Sequence, residues 1–157
     1  MKTREKINKV LEKLLAVLLG VMVVNVLWQV ASRYILGSPS IFTDELARYL
    51  LIWLGLIGAA YGTGRGLHVS IDLLKQKLTS RQQYFQFKII SVLMFLFALA
   101  VLVLGGTRMV LISFELGQTS SAMHLPIGFV YLALPISGVL ICYYTIHNLT
   151  QKQHGAN

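Results

Sequence analysis

Charge is scarce in this sequence, only 13% of whose residues are Asp, Glu, Lys or Arg, and its distribution is more telling than its amount. The runs Leu14 to Ser32, Tyr49 to Gly64, Ile89 to Thr107 and Leu125 to Ile146 contain no Asp, Glu, Lys, Arg or His. No ionisable group lies near the middle of any run, which leaves nothing with which to build a proton relay, a buried ion site or a voltage sensor. Cysteine is limited to Cys142. One thiol makes neither an internal disulfide nor a C-x-x-C redox centre, so it reads as packing. No metal-ligand cluster, Ser/His/Asp set or phosphate-cradling glycine loop is present, which argues against an enzyme and against a cofactor. The histidines are His68, His124, His147 and His154. None lies inside one run facing another, as paired haem ligands must.

Each run has about the ~17 to 25 residues that cross a bilayer as a helix. The sequence therefore predicts an all-α integral membrane protein with four spans, near 14–36, 45–64, 86–112 and 126–147, in one helical-bundle domain over 1–157. The first run is too long for a signal-peptide core and lacks an A-x-A-like cleavage site, so it counts as a span. The net charge of +8 falls wholly on one side once the spans are drawn. Arg33, Arg48 and Arg108 balance Asp44, Glu45 and Glu115 on the other side. The positive-inside rule then puts both termini in the cytoplasm, and attraction to anionic phospholipid, not nucleic acid, accounts for the excess.

Amphipathic segments flank the spans on that side. Over 4–13 and into the first span, Ile7, Val10, Leu11 and Leu14 recur at helical spacing opposite Lys6, Lys9, Glu12 and Lys13. Over 70–79, Ile71, Leu74 and Leu78 oppose Asp72, Lys75 and Lys77. With Arg81 and Lys88, these lysines are the candidate membrane-surface anchors. Gly37-Ser38-Pro39 signals the turn after the first span, and Thr43-Asp44-Glu45 offers caps for the second. The third helix, starting at Ser80, exceeds the hydrocarbon thickness. Pro126 begins the fourth span, while Pro135 lies inside it and predicts a kink.

Asn25, Gln29 and Arg33 are spaced by four and form one polar stripe, whose side chains need partners in lipid. Those partners are this chain's own second and fourth spans, another subunit, or a polar cavity. Asp44, Glu45 and Arg48 open the second span near Arg33. They serve either as cap and local ion pairs, through the helix dipole and the i, i+4 pairing of Asp44 with Arg48, or as a docking point for a partner at the outer face. Gly55, Gly58 and Gly62, with Ala59 alongside, mark a helix contact of the small-x-x-x-small kind. Trp28, Tyr34, Tyr49, Trp53, Tyr143 and Tyr144 gather toward span ends, as interface anchors do.

The stretch Phe42-Thr43-Asp44-Glu45-Leu46-Ala47-Arg48-Tyr49-Leu50, followed by Trp53 and Gly58-Ala59-Ala60, resembles the small membrane subunit of tripartite ATP-independent periplasmic (TRAP) transporters. So do His68-Val69-Ser70-Ile71-Asp72-Leu73 and Leu125-Pro126-Ile127-Gly128 through Tyr131 to Pro135. Each motif is short and partly apolar; their order in a four-span chain makes the resemblance specific.

The resemblance implies a three-part importer in a bacterial inner membrane. A periplasmic binding protein, docking transiently, delivers an organic acid such as sialic acid or a C4-dicarboxylate. A large elevator-type subunit moves it on a sodium gradient and carries the sodium sites, and the small subunit clamps to it as a stable heterodimer and stator. The large-subunit contact is then expected on Gly55, Gly58 and Gly62, with Asn25 and Gln29 contributing. Arg33, Asp44, Glu45 and Arg48 would help receive the binding protein. Two other classes compete. A self-sufficient four-span exporter of the small multidrug kind needs a membrane-embedded carboxylate, and Asp44 and Glu45 lie at the rim; a membrane-anchor subunit of an oxidoreductase would carry haem or quinone.

Overall fold

The computed structural model describes residues 2–35, 37, 40–66 and 80–154. They are helical almost throughout. Helix α1 is Lys2–Ile35 and α2 is Ile41–Arg65. The third span is built from α3 (Ser80–Phe97), a π-helical stretch (Ala98–Gly105) and α4 (Gly106–Glu115), and the fourth from α5 (Gly128–Tyr131) and α6 (Ala133–His154). Among the described residues, four helical segments are long and apolar enough to cross a membrane: Arg4–Ile35, Ile41–Arg65, Phe85–Glu115 and Gly128–Thr150.

Local chemistry sets the boundaries. The amphipathic segment 4–13 and the first span form one unbroken helix, since no Gly or Pro interrupts Lys2–Ile35 before its last turn except Gly20, which a helix tolerates. The second amphipathic segment, 70–79, lies outside the described residues. Helix α2 starts earlier than Thr43-Asp44-Glu45 suggests. Ser40, with extended backbone, is the cap, and its hydroxyl accepts from the amide of Thr43 at 3.4 Å. At the other end Gly66, at φ 70°, takes the left-handed turn and donates its amide to the carbonyls of Gly62 and Thr63. In the fourth span Pro135 supplies no amide to the carbonyl four residues back, and the helix breaks at Leu132 between α5 and α6.

The helices lie in a row. Helix α1 packs along α2, α2 along α6, and α6 along α3, the π stretch and α4. Only 6% of the most apolar window of the first span is buried, against 39% for the fourth, so α1 is an edge and α6 the centre. Because lipid is as apolar as leucine, close packing rather than water exclusion holds such a row together. Glycine makes the closeness possible. A Cβ on Gly64 would stand 2.7 Å from the Tyr144 ring, on Gly106 2.7 Å from Leu134, on Gly128 2.7 Å from Phe114 and on Gly138 2.8 Å from Leu102. Ala60, Ala98, Leu102 and Ile141 form one buried cluster where α2, the third span and α6 meet; Leu11, Ile57 and Tyr144 form a second where α1 and α2 meet α6. The π stretch abuts Gly138, and Gly106 just beyond it abuts Pro135, so both long helices depart from regular α geometry where they cross.

Candidate functional site

The polar stripe of α1 turns toward α2. Asn25 is buried and donates its side-chain amide to the carbonyl of Thr43 at 2.8 Å, and Gln29 donates to Asp44 at 3.2 Å. Both therefore bond within the chain. Arg33, one turn further, is exposed and has no partner among the described residues.

Asp44 and Glu45 are adjacent but aim in different directions, because successive residues on a helix are about 100° apart. Asp44 pairs with Arg48, an exposed contact one turn along the same helix. Such surface pairs contribute little stability. Glu45 crosses to the hairpin between the third and fourth spans, accepting from the Ser120 hydroxyl and from the amides of Ala122 at 3.1 Å and Met123 at 3.4 Å. The hairpin closes on itself through Ser120 to Leu125 at 2.9 Å and Ile127 to Gln118 at 3.0 Å, with His124 at φ 53° near its tip. Glu45 is thus a strut. Its local sequence signalled a cap, and nothing in the spacing of 75 residues pointed to Ser120.

The small residues of α2 divide between two surroundings. A Cβ on Gly58 would lie 4.0 Å from Leu15 of α1, whereas nothing of this chain lies within 4 Å of one on Gly55 or Gly62. Gly62 and Ala59 line an open apolar groove of about 500 Å³ between α2 and the third span, walled by Met94 and Phe97. At Gly55 and Gly62, α2 therefore leaves open space that this chain does not fill.

At the end carrying both termini, α1 and α6 close over the last turn of α2. Arg4 donates to the carbonyl of Gly64 and Asn148 to that of Thr63 at 3.1 Å, satisfying carbonyls a helix end leaves free. The Tyr144 hydroxyl donates to Asn8 at 2.6 Å, and Arg65 donates to the Tyr61 hydroxyl at 2.8 Å with Glu12 at 3.7 Å. Arg4 and Asn148 were not singled out by sequence; an amphipathic pattern shows which face is apolar but not which polar group reaches a neighbour. Lys6, Lys9, Lys13 and Lys88 are exposed at this end. Lys75 and Lys77, and the side chain of Arg81, lie outside the described residues. Among the described residues no three His, Cys, Asp or Glu side chains are grouped as a metal site requires.

Residues 22–154 match the family model of tripartite ATP-independent periplasmic transporters, DctQ component. A Haemophilus influenzae protein assigned as a TRAP transporter small permease is 34% identical over 145 residues, covering 91% of this chain and 87% of that one. The C4-dicarboxylate TRAP transporter small permease protein DctQ of Rhodobacter capsulatus is 31% identical over 68% of this chain and 47% of its own. The sialic acid TRAP transporter small permease protein SiaQ of Vibrio cholerae is 29% identical over 82% and 78%. In the isethionate TRAP transporter permease protein DctMQ of Oleidesulfovibrio alaskensis, 25% identical, the matched part is 18% of a longer chain. With its four membrane-crossing helices and a match over most of its length, the chain belongs to the DctQ family, the multi-pass small permease subunits of TRAP transporters in the inner membrane, which are transport proteins and not enzymes.

Proposed function

We propose that this chain is the static membrane subunit to which a large, elevator-type permease subunit is fastened, in a sodium-coupled importer supplied by a periplasmic binding protein. The observation that carries the reading is the open face of α2. Gly55 and Gly62 have empty space where a side chain would be, yet glycine in a helix interior costs about 1 kcal/mol relative to alanine. Packing within the chain gives no reason for glycine there, and close approach by a partner's helix does. The longer DctMQ relative, in which the matched stretch is part of one permease chain, supports a large partner of the same transporter. The row of helices suits a brace, because it presents long faces to a neighbour and, among the described residues, holds no charged group at mid-membrane for moving an ion. Sodium and the main substrate contacts then belong to the large subunit.

The cargo we propose is an organic acid of the sialic acid or C4-dicarboxylate type, the chemistries named for two relatives. In this reading the binding protein meets the end that carries the hairpin, with Arg33 as the open charge beside the Asp44–Arg48 pair. The partner contact rests on Gly55, Ala59 and Gly62; Asn25 and Gln29 support it indirectly by fixing α1 to α2. Cysteine placed at Gly62 in an otherwise cysteine-free chain tests this. Cross-linking in native membranes to a large many-span protein supports the reading, whereas cross-linking only to a second copy of this chain refutes it.

A further inference from the structure

Arg108 and Glu115 lie seven residues apart on α4, so they share one helical face. That face points away from the rest of the chain, since Gly106, Val110 and Ser113 on the opposite side are buried. Both charged residues are exposed and neither has a partner among the described residues. Their depth follows from helix register. Ala60 of α2 packs with Ala98 and Leu102 of the antiparallel third span, which sets Glu115 level with the first turn of α2. Arg108 lies seven residues deeper, about 10 Å. The charged side chains are bordered by exposed Leu104 and Leu111. An arginine that faces lipid at this depth extends its head toward the interface along its apolar stem.

The order of charges, cation deeper and anion at the rim, is the mirror of an aminophospholipid headgroup, whose phosphate lies nearer the hydrocarbon and whose ammonium lies further out. We propose that Arg108 and Glu115 form a two-point site for phosphatidylethanolamine in the leaflet at the hairpin end, the outer leaflet in the expected orientation. Arg108 takes the phosphate through charge-assisted hydrogen bonds, Glu115 takes the ammonium, and Leu104 and Leu111 flank the acyl chains. This site is separate from the lysine-rich opposite end, where attraction to anionic lipid needs no defined headgroup.

The test is lipid retention by the full chain, together with any subunit that co-purifies, in nanodiscs of equimolar phosphatidylethanolamine and phosphatidylglycerol, with bound lipid quantified by mass spectrometry. The unaltered protein should enrich phosphatidylethanolamine roughly five-fold, as one interfacial charge contact allows. Glu115→Gln should remove that preference while leaving total bound lipid unchanged, because phosphatidylglycerol has no ammonium. Arg108→Gln should lower retention of both lipids. Both residues are exposed, so neither change disturbs internal packing, and retained helicity by circular dichroism checks this. An undiminished preference in Glu115→Gln, or undiminished retention in Arg108→Gln, overturns the proposal. Loss of a co-purifying protein in Arg108→Gln with lipid unchanged also overturns it, by assigning Arg108 to a protein carboxylate.

Discussion

The hydroxyl of Ser120 donates to the carboxylate of Glu45, joining the first turn of α2 to a hairpin 75 positions later. The same carboxylate oxygen receives the amides of Ala122 and Met123. One side chain therefore fixes the tip of the loop between the third and fourth spans, and its charge is used within the chain. The neighbouring Asp44 is used too, by Arg48 and Gln29.

Replacing Glu45 with Ala should free that hairpin without unfolding the helices. Hydrogen exchange at the amides of Ala122 and Met123 should accelerate, while the amides of α6 stay protected. Unchanged exchange at both would show that the hairpin's own backbone bonds hold it.

The glycines separate into two testable groups. Gly64→Ala and Gly106→Ala force a Cβ to 2.7 Å from Tyr144 and Leu134 respectively, and overpacking of this kind costs about 1 to 3 kcal/mol. Gly62→Ala meets nothing within 4 Å and should leave the isolated chain as stable or slightly more so. Unfolding titrations in mixed micelles compare the three. Gly62→Leu should leave the chain folded and inserted but weaken its hold on the large subunit.

Asn25→Leu removes the buried hydrogen bond to Thr43 at 2.8 Å. Amide bonds between membrane helices are worth roughly 0.6 to 2 kcal/mol, so the chain itself should lose about that much stability. Full stability combined with loss of a partner would instead make Asn25 a contact between subunits.

Tyr144 is fully buried, with its hydroxyl on Asn8 at 2.6 Å. Tyr144→Phe keeps the ring against Gly64 and removes only that bond, for an expected cost of about 0.5 to 1.5 kcal/mol. In a double-mutant cycle with Asn8→Ala the two losses should be strongly non-additive. Additive losses would show that the pair does not couple α1 to α6.

The spans were legible because lipid imposes one rule on every residue of a long window: Leu14 to Ser32 and its three counterparts can hold no charge whether or not their neighbours are known. The role of Asn25 and Gln29 was legible as a need for partners but not as a choice among them, since that depends on how α1 is rotated against α2. Glu45 was less legible still. Its place beside Asp44 spoke for a cap, and the loop it braces is far along the chain. The glycine stripe read as a single face. The structure splits it, Gly58 toward Leu15 and Gly55 with Gly62 toward open space, because α1 crosses only part of α2. The π stretch left no local signal, since Ala98–Gly105 is composed of ordinary helix-forming and apolar residues.

Affinity purification of the tagged chain from its native membrane in mild detergent, with mass spectrometry of what accompanies it, bears most directly on the scaffold reading. A large, many-span membrane protein should accompany the chain in one-to-one ratio, be lost in Gly62→Leu, and transport an organic acid with sodium when reconstituted with this chain and its binding protein. Recovery of the chain alone as a stable dimer that transports by itself would contradict it.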